Sequence, residues 1–158
     1  MTAYVPLWVK RNFSFLEGAS HPDELVEAAA ERGITAMALT DRDGVQGIVR
    51  AHVKARELGL QLLIGTQINF QAPTELEQAS DPHHEPPFAL VYARDRAGYA
   101  ELCRLITLGR RRAEKGSSIL QREELLDLGE GHDLVELPGD LRSRHAEDGA
   151  VEVDVLAT

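Results

Sequence analysis

The sequence has little positive charge, a single cysteine and no long apolar run. Its 17 lysine and arginine residues face 26 aspartate and glutamate residues, which gives a formal net charge of −9 at pH 7. This balance argues against direct binding of nucleic acid or attachment to a membrane surface, because both depend on basic patches. The single cysteine, Cys103, excludes an internal disulfide and is typical of a reducing compartment. Since no signal-peptide pattern follows Met1 and no segment has membrane-spanning length, we expect a cytoplasmic chain.

What is present predicts an α/β domain. With 158 residues, of which 43% are hydrophobic and 27% charged, the chain is long enough for one globular core. Apolar segments typical of strands alternate with amphipathic segments typical of helices, and this alternation predicts a mainly parallel sheet with flanking helices. The predicted strands are residues 4–9, 34–39, 61–64, 88–92 and 134–137, and the predicted helices run from Pro22 to Gly33 and over 45–58, 97–112 and 122–128.

The remaining segments are predicted to lie outside the core. Residues 73–87 are polar and rich in proline, which is typical of an exposed loop. We divide the chain into a domain over residues 4–137 and a polar tail over 138–158. Within the tail, residues 151–155 alternate strictly between valine and acidic residues, which predicts an edge strand. The arginine run 110–112 falls at the end of a predicted helix, where cations complement the helix dipole.

Polar residues follow three predicted strands, at the ends where parallel α/β barrels place their chemistry. These segments are residues 8–11, 40–43 and 65–67. They carry the cations Lys10, Arg11 and Arg42. No glycine-rich phosphate loop, paired-cysteine motif or serine–histidine–aspartate pattern accompanies them.

Several motifs in a fixed order resemble one protein family. Residues 12–22 read NFSFLEGASHP, residues 38–44 read ALTDRDG, and residues 110–116 read RRRAEKG. Over roughly residues 4–131 the chain resembles the N-terminal part of the PHP domain (polymerase and histidinol phosphatase) of bacterial error-prone DNA polymerase III alpha-type subunits. The resemblance implies a partial, distorted (β/α)7 barrel, of which this chain supplies about the first five strands. It leaves no sequence for the polymerase catalytic aspartates.

The resemblance also implies a metal site whose ligands this chain replaces. Metal-binding PHP domains carry His-x-His, Thr-Asp-His and Gly-x-Glu at the three strand ends, and the matching positions here are Trp8, Lys10, Arg42 and Gln67. Protonated lysine and arginine have no lone pair to donate. Two such cations at about 4 Å would repel a divalent ion by several kcal/mol even at an effective dielectric near 20. We therefore expect no metal, no cofactor and no catalytic residue.

The polar residues that remain admit three interpretations. Glu17, Asp41 and Asp43 form an ion-pair network with Lys10 and Arg42 in the preferred interpretation. Alternatively, the three acids hold a single metal ion. In a third interpretation, the cations hold a phosphate or other anion at the strand ends.

The preferred functional hypothesis is a degenerate, non-catalytic PHP fragment in a DNA replication, repair or translesion synthesis context. Such a fragment acts as a docking or scaffold module. Its expected partners are DNA polymerase or repair proteins, or a second copy that pairs through open sheet edges. The alternatives are a metal-dependent PHP phosphoesterase and an anion- or nucleotide-binding module that uses Lys10 and Arg42.

Overall fold

The structure is a computed structural model that describes residues 4–70, 87–129 and 134–138. The predicted edge strand over 151–155 and most of the predicted loop over 73–87 lie outside these residues. The strands are β1 (Ala36–Arg42), β2 (Gln61–Asn69), β3 (Phe88–Ala93) and β4 (Leu134–Pro138). The helices are α1 (Pro22–Glu31), α2 (Ile48–Leu58), α3 (Arg96–Arg112) and α4 (Arg122–Gly129).

Three helix ends carry residues that favour capping. Gly33, two residues after α1, and Gly59, directly after α2, adopt the left-handed conformation with φ of 72° and 68°. Asp95 caps α3, because its side chain accepts a hydrogen bond of 2.9 Å from the backbone N–H of Gly98. The predicted helix boundaries are therefore confirmed to within a few residues.

The four described strands form one sheet in the order β1–β2–β3–β4, and only its first pair is parallel. β2 pairs antiparallel with β3, and β3 pairs antiparallel with β4. The prediction of a mainly parallel sheet is therefore wrong for these strands. Asn69 at the end of β2 pairs with Phe88 at the start of β3, so the chain returns beside the strand end that it has just left. This connection gives an antiparallel pair, because a parallel pair needs a crossover to the other end of the sheet. A small mixed α/β sheet with helices is what the structure shows, without a closed barrel among the described residues.

The predicted strand over residues 4–9 is not a regular strand. This segment nevertheless runs beside β1, because Pro6 and Val9 accept backbone hydrogen bonds of 2.9 Å from Ala38 and Thr40. Pro6 has no N–H to return, which explains why the pairing does not become a ladder. The segment covers the outer edge of β1 and brings residues 8–11 to the ends of β1 and β2.

The core lies mainly between the sheet and its helices. α1 and α2 pack on Met37 and Leu39 of β1 and on Leu60 before β2. α3 packs on the same face further along, through Leu102 and Leu105 against Val91. The opposite face carries Ala38, Leu90 and Tyr92, with Leu7, Trp8, Leu63 and Phe88 packed against them.

β2 runs past the point where the sequence predicts its end. The predicted strand ends at residue 64, yet the next residue, Gly65, pairs with both Thr40 of β1 and Tyr92 of β3. A side chain at this position would come within 2.7 Å of the Val91 carbonyl oxygen. Gly65 therefore permits close approach of β3, and the extended strand carries Gln67 and Asn69 to the site.

Candidate functional site

A fully buried ion pair lies at the centre of the candidate site. Arg11 and Asp41 are both 0% exposed. The Arg11 guanidinium donates to Asp41 Oδ2, and the Arg11 backbone N–H donates to Oδ1 at 2.8 Å. The pair joins the segment before the 12–18 loop to the end of β1. Arg11, which the sequence offered as an anion ligand, is thus already held by a carboxylate.

Two hydroxyl groups complete the partners of Asp41. Ser14 Oγ donates to Asp41 Oδ1 at 2.8 Å and accepts from the Arg42 backbone N–H at 3.1 Å. Thr66 Oγ1 donates to the Asp41 carbonyl oxygen at 2.8 Å and accepts from the Gly44 N–H at 3.0 Å. Because its oxygens accept from a guanidinium, a backbone N–H and a hydroxyl, Asp41 is a structural anion that ties the loop to the sheet.

A second group of charges lies nearer the surface. Glu17 Oε1 pairs with the Arg42 guanidinium at 2.5 Å, and Glu17 Oε2 lies 3.6 Å from Lys10 Nζ. The Lys10 side chain is 11% exposed and that of Arg42 is 48% exposed. Desolvation lowers the pKa of Lys10 and Arg42 lowers it further, while Glu17 and Asp41 oppose that change. Part of the expected ion-pair network is therefore present, because Glu17 pairs with both Lys10 and Arg42. Asp41, which was expected in the same network, pairs with Arg11 instead.

Gln67 connects these charges to the sheet. Its Oε1 accepts from Lys10 Nζ at 2.6 Å and from Trp8 Nε1 at 3.2 Å, and its Nε2 donates to Asn69 Oδ1 at 2.7 Å. The Trp8 ring packs against Phe88, with 5.2 Å between ring centroids. Trp8 and Lys10 thus both donate to the side chain of Gln67.

Asp43 occupies a strained turn beneath this cluster. Its φ is 47°, which is uncommon for a residue with a side chain, and its backbone N–H donates to the Gln67 carbonyl at 2.8 Å. Arg110 from the end of α3 donates twice to the Asp43 carbonyl oxygen, at 3.0 and 3.2 Å. Burial raises the pKa of the Asp43 carboxyl, although Asn69, Arg110, Arg42 and Lys10 favour its ionised form.

The structure brings together the residues that the sequence singled out at the three strand ends and adds four more. Ser14, Thr66, Asn69 and Arg110 hold the site but were not assigned to it. For Ser14 the signal was its place in the NFSFLEGAS motif, whereas Thr66 gave no sequence signal. Arg110 was assigned to the helix dipole, and that assignment is incomplete because its guanidinium contacts the Asp43 carbonyl.

The donor set does not fit a divalent metal ion. Within residues 4–70, 87–129 and 134–138 there is no group of three or more histidine, cysteine, aspartate or glutamate side chains placed to hold one. Asp41 is saturated by Arg11 and Ser14, and Glu17 is shared between two cations. A metal ion would have to displace these partners and accept nearby positive charge.

Comparison with protein families agrees with this geometry. The family model described as "PHP domain" matches residues 7–147, which is most of the chain. The chain belongs to the PHP domain family.

Two curated relatives share this PHP segment. The error-prone DNA polymerase of Rhodopirellula baltica is 43% identical over 128 residues, which cover 81% of this chain and 10% of that protein. The error-prone DNA polymerase of Bordetella parapertussis is 47% identical over 121 residues, covering 76% of this chain and 11% of that protein. The chain thus spans about a tenth of the length of these relatives.

A solved structure supports the fold assignment. An amidohydrolase from Chromobacterium violaceum, with bound sulfate and no metal, superposes with a TM-score of 0.51 at 23% identity. The match covers 68% of this chain and 33% of that protein.

Among the helices of the described residues, none has the length and apolar character needed to cross a membrane.

Proposed function

We propose that this PHP segment is non-catalytic and serves as a docking or scaffold module for a polymerase of the error-prone type. The observation that carries the proposal is the mutual engagement of Trp8, Lys10 and Gln67 at the positions where the family pattern has metal ligands. Arg42 is paired with Glu17 beside them. A site whose members bind one another offers no open coordination position for a metal-bound water.

The metal-free part of the proposal is tested by thermal unfolding of the 158-residue chain. The midpoint is measured with chelator and again with Mn²⁺ or Zn²⁺ added, and we expect it not to change. A ligand that binds only the native state raises the midpoint by mass action, so an increase of several degrees would contradict a metal-free site.

Hydrolysis of a phosphomonoester and a phosphodiester under the same conditions tests the non-catalytic part. We expect no metal-dependent turnover above a chain-free blank. Metal-dependent hydrolysis that disappears in the Asp43→Asn variant would establish the phosphoesterase alternative instead. Asp43 is preferred to Asp41 for this test, because Asp41 is a buried structural partner of Arg11 and its loss would disturb folding.

The docking part of the proposal is supported by a hydrogen-bonded loop with an apolar tip. Phe15 and Leu16 are 85% and 91% exposed, although large apolar side chains normally avoid solvent. Their loop is fixed below the tip by the hydrogen bonds of Ser14, which accepts from Glu17 and Gly18 at 3.0 and 3.1 Å through its carbonyl oxygen. An apolar contact held in advance loses little entropy when it binds.

The occupant proposed for this tip is the polymerase body of an error-prone polymerase, because curated relatives carry this segment as about a tenth of a longer chain. The test mixes this chain with the Rhodopirellula baltica polymerase from which the matching PHP segment has been removed. We expect co-elution that is lost when Phe15→Ser and Leu16→Asn are combined. Asparagine is chosen because Leu16 has a φ of 65°, which asparagine tolerates.

The matched control combines Val49→Ser and Val53→Ser on α2, where the side chains are 70% and 52% exposed. This variant should bind like the wild type. Equal loss of binding in both variants would show that general surface hydrophobicity matters and not the loop tip. Absence of co-elution for the wild type would contradict the docking proposal itself.

An anion-binding module remains a second proposal because Arg42 is about half exposed at the rim. Its cations are, however, already paired: Arg42 and Lys10 with Glu17, and Arg11 with Asp41. An anion would compete with these carboxylates. Phosphate that raises the unfolding midpoint of the wild type but not of the Arg42→Gln variant, at equal ionic strength, would support this alternative.

A further inference from the structure

The position of Lys10 suggests why the site has no need of an external ion. Lys10 Nζ lies 2.6 Å from Gln67 Oε1, a short distance for a charge-assisted hydrogen bond, and 3.6 Å from Glu17 Oε2. The two oxygens come from different parts of the fold, one from β2 and the other from the 12–18 loop. A single ammonium group therefore links the strand to the loop, as a bound cation would.

The carboxylates of Asp41 and Asp43 also interact electrostatically with this ammonium. Two arginines nearby have other partners: Arg11 pairs with Asp41, and Arg110 donates to the Asp43 carbonyl. Arg42 shares Glu17 with Lys10, but its side chain is 48% exposed. Lys10 is thus the less exposed of the two cations that contact Glu17, and it also donates to Gln67.

Burial opposes the charge of this group. Desolvation lowers the pKa of Lys10 and Arg42 adds to that effect, whereas Glu17 and Asp41 raise it. A side chain of this length could place its ammonium in solvent at little cost. That it points inward, with 11% exposure, indicates that the surrounding oxygens attract a positive group.

We infer that the Lys10 ammonium is the resident cation of this site, and that shortening Lys10 creates a binding site for a small external alkylammonium ion. The external ion would donate to Gln67 Oε1 and face Glu17, as the lysine does. This inference rests on the metal-free site proposed above. It assigns to one side chain the role that the family pattern gives to an ion.

The test is chemical rescue of the Lys10→Ala variant. Alanine keeps the β-carbon, so n-propylammonium matches the removed atoms in length and charge. We expect the variant to unfold roughly 5 °C below the wild type. A saturating concentration of n-propylammonium chloride should then raise its midpoint by about 2 °C or more relative to NaCl at equal ionic strength.

Three controls separate charge from simple cavity filling. 1-Propanol has the same shape without the charge and should not rescue. Lys54→Ala removes a lysine that bridges Glu27 and Glu57 on the surface, and it should not respond to n-propylammonium. Lys10→Met fills the same space without charge and should not respond either.

The outcomes are distinct. Rescue of Lys10→Ala by n-propylammonium alone supports the inference. If that variant is unfolded in plain buffer, recovery of its cooperative unfolding transition when the amine is added gives the same support. Equal rescue by 1-propanol, an equal response of Lys54→Ala, or no rescue at all overturns it. If Mn²⁺ or Zn²⁺ raises the wild-type midpoint, both this inference and the metal-free proposal fail, whereas lack of rescue with no metal response overturns only this inference.

Discussion

Two ion pairs made by neighbouring residues differ in almost every physical respect. Arg11 and Asp41 form a pair that is 0% exposed, whereas the side chains of Arg42 and Glu17 are 48% and 29% exposed. The first pair is joined to a backbone N–H and a serine hydroxyl, which satisfy the carboxylate that burial has removed from water. The second lies at the rim, where solvent screens it. The comparison shows that residue type alone does not reveal which charge is structural.

The largest expected effect comes from breaking the inner pair. Arg11→Met keeps much of the side-chain volume but leaves Asp41 buried without its cation. Removing one partner of a buried pair costs about 3–5 kcal/mol, and we expect a decrease of this size in the free energy of unfolding. Urea unfolding of the wild type and the variant measures it. A decrease below about 1 kcal/mol would mean that Asp41 is protonated or hydrated in the variant at little cost.

Arg110 connects α3 to the backbone of Asp43, which follows Asp41 of the inner pair closely in sequence. Arg110→Ala removes two hydrogen bonds to the Asp43 carbonyl, where φ is 47°. We expect a loss of about 1–2 kcal/mol in the free energy of unfolding, since these bonds come from a charged donor. The matched control is Arg111→Ala, an exposed residue that should change stability by less than about 0.5 kcal/mol. Equal effects of the two variants would assign the contribution to the helix dipole.

Sequence patterns predicted the helices well because their signals are local. Asp95 and Gly59 mark helix ends through side-chain capping and backbone freedom, which require only a few neighbouring residues. Strand direction was predicted wrongly for β2 and β3, because their antiparallel pairing depends on where the chain returns to the sheet. The extent of β2 was missed for a related reason: Gly65 has a role set by the close approach of Val91.

Prediction of the site was limited in the same way, because charge pairing depends on residues that are distant in sequence. Trp8, Lys10, Arg42 and Gln67 were located by motif position. Part of the expected ion-pair network is present, with Glu17 paired to Lys10 and Arg42, whereas Asp41 pairs with Arg11. Which carboxylate pairs with which cation was not predictable. Arg11 and Arg42 are both next to the strand ends, and only the three-dimensional arrangement places one inside and the other at the rim.

The buried carboxyl of Asp43 makes the stability of the chain depend on pH. Burial raises its pKa, so the folded chain binds this proton more tightly than the unfolded chain. The linked stability is present below the unfolded value of about 3.9 and is lost as pH rises through the folded pKa. Asp43→Asn should therefore unfold at a higher midpoint than the wild type at pH 7, with the difference shrinking towards pH 4.

Asp23 supplies a control of opposite sign. A hydrogen bond from its own backbone N–H lowers its pKa, and Arg50 lowers it further. Stability linked to this group is present above the unfolded value and is lost as pH falls through the folded pKa. Asp23→Asn should therefore be less stable than the wild type at pH 7 and approach it in acid. If the two variants show the same pH trend, burial does not govern Asp43.

The smallest effect is expected at the outer pair. Arg42→Gln removes the cation that faces Glu17, but solvent screening limits such a pair to less than about 1 kcal/mol. Because the effect is partly Coulombic between exposed groups, it should shrink further between 0.05 and 1 M NaCl, whereas the loss in Arg11→Met should persist. Urea unfolding at both salt concentrations measures the contrast. If Arg42→Gln lowered the free energy of unfolding as much as Arg11→Met, and if salt affected neither loss, the outer pair would be as shielded from solvent as the inner pair. Glu17 would then belong, with Asp41, to the buried ion pairs that hold the loop to the sheet.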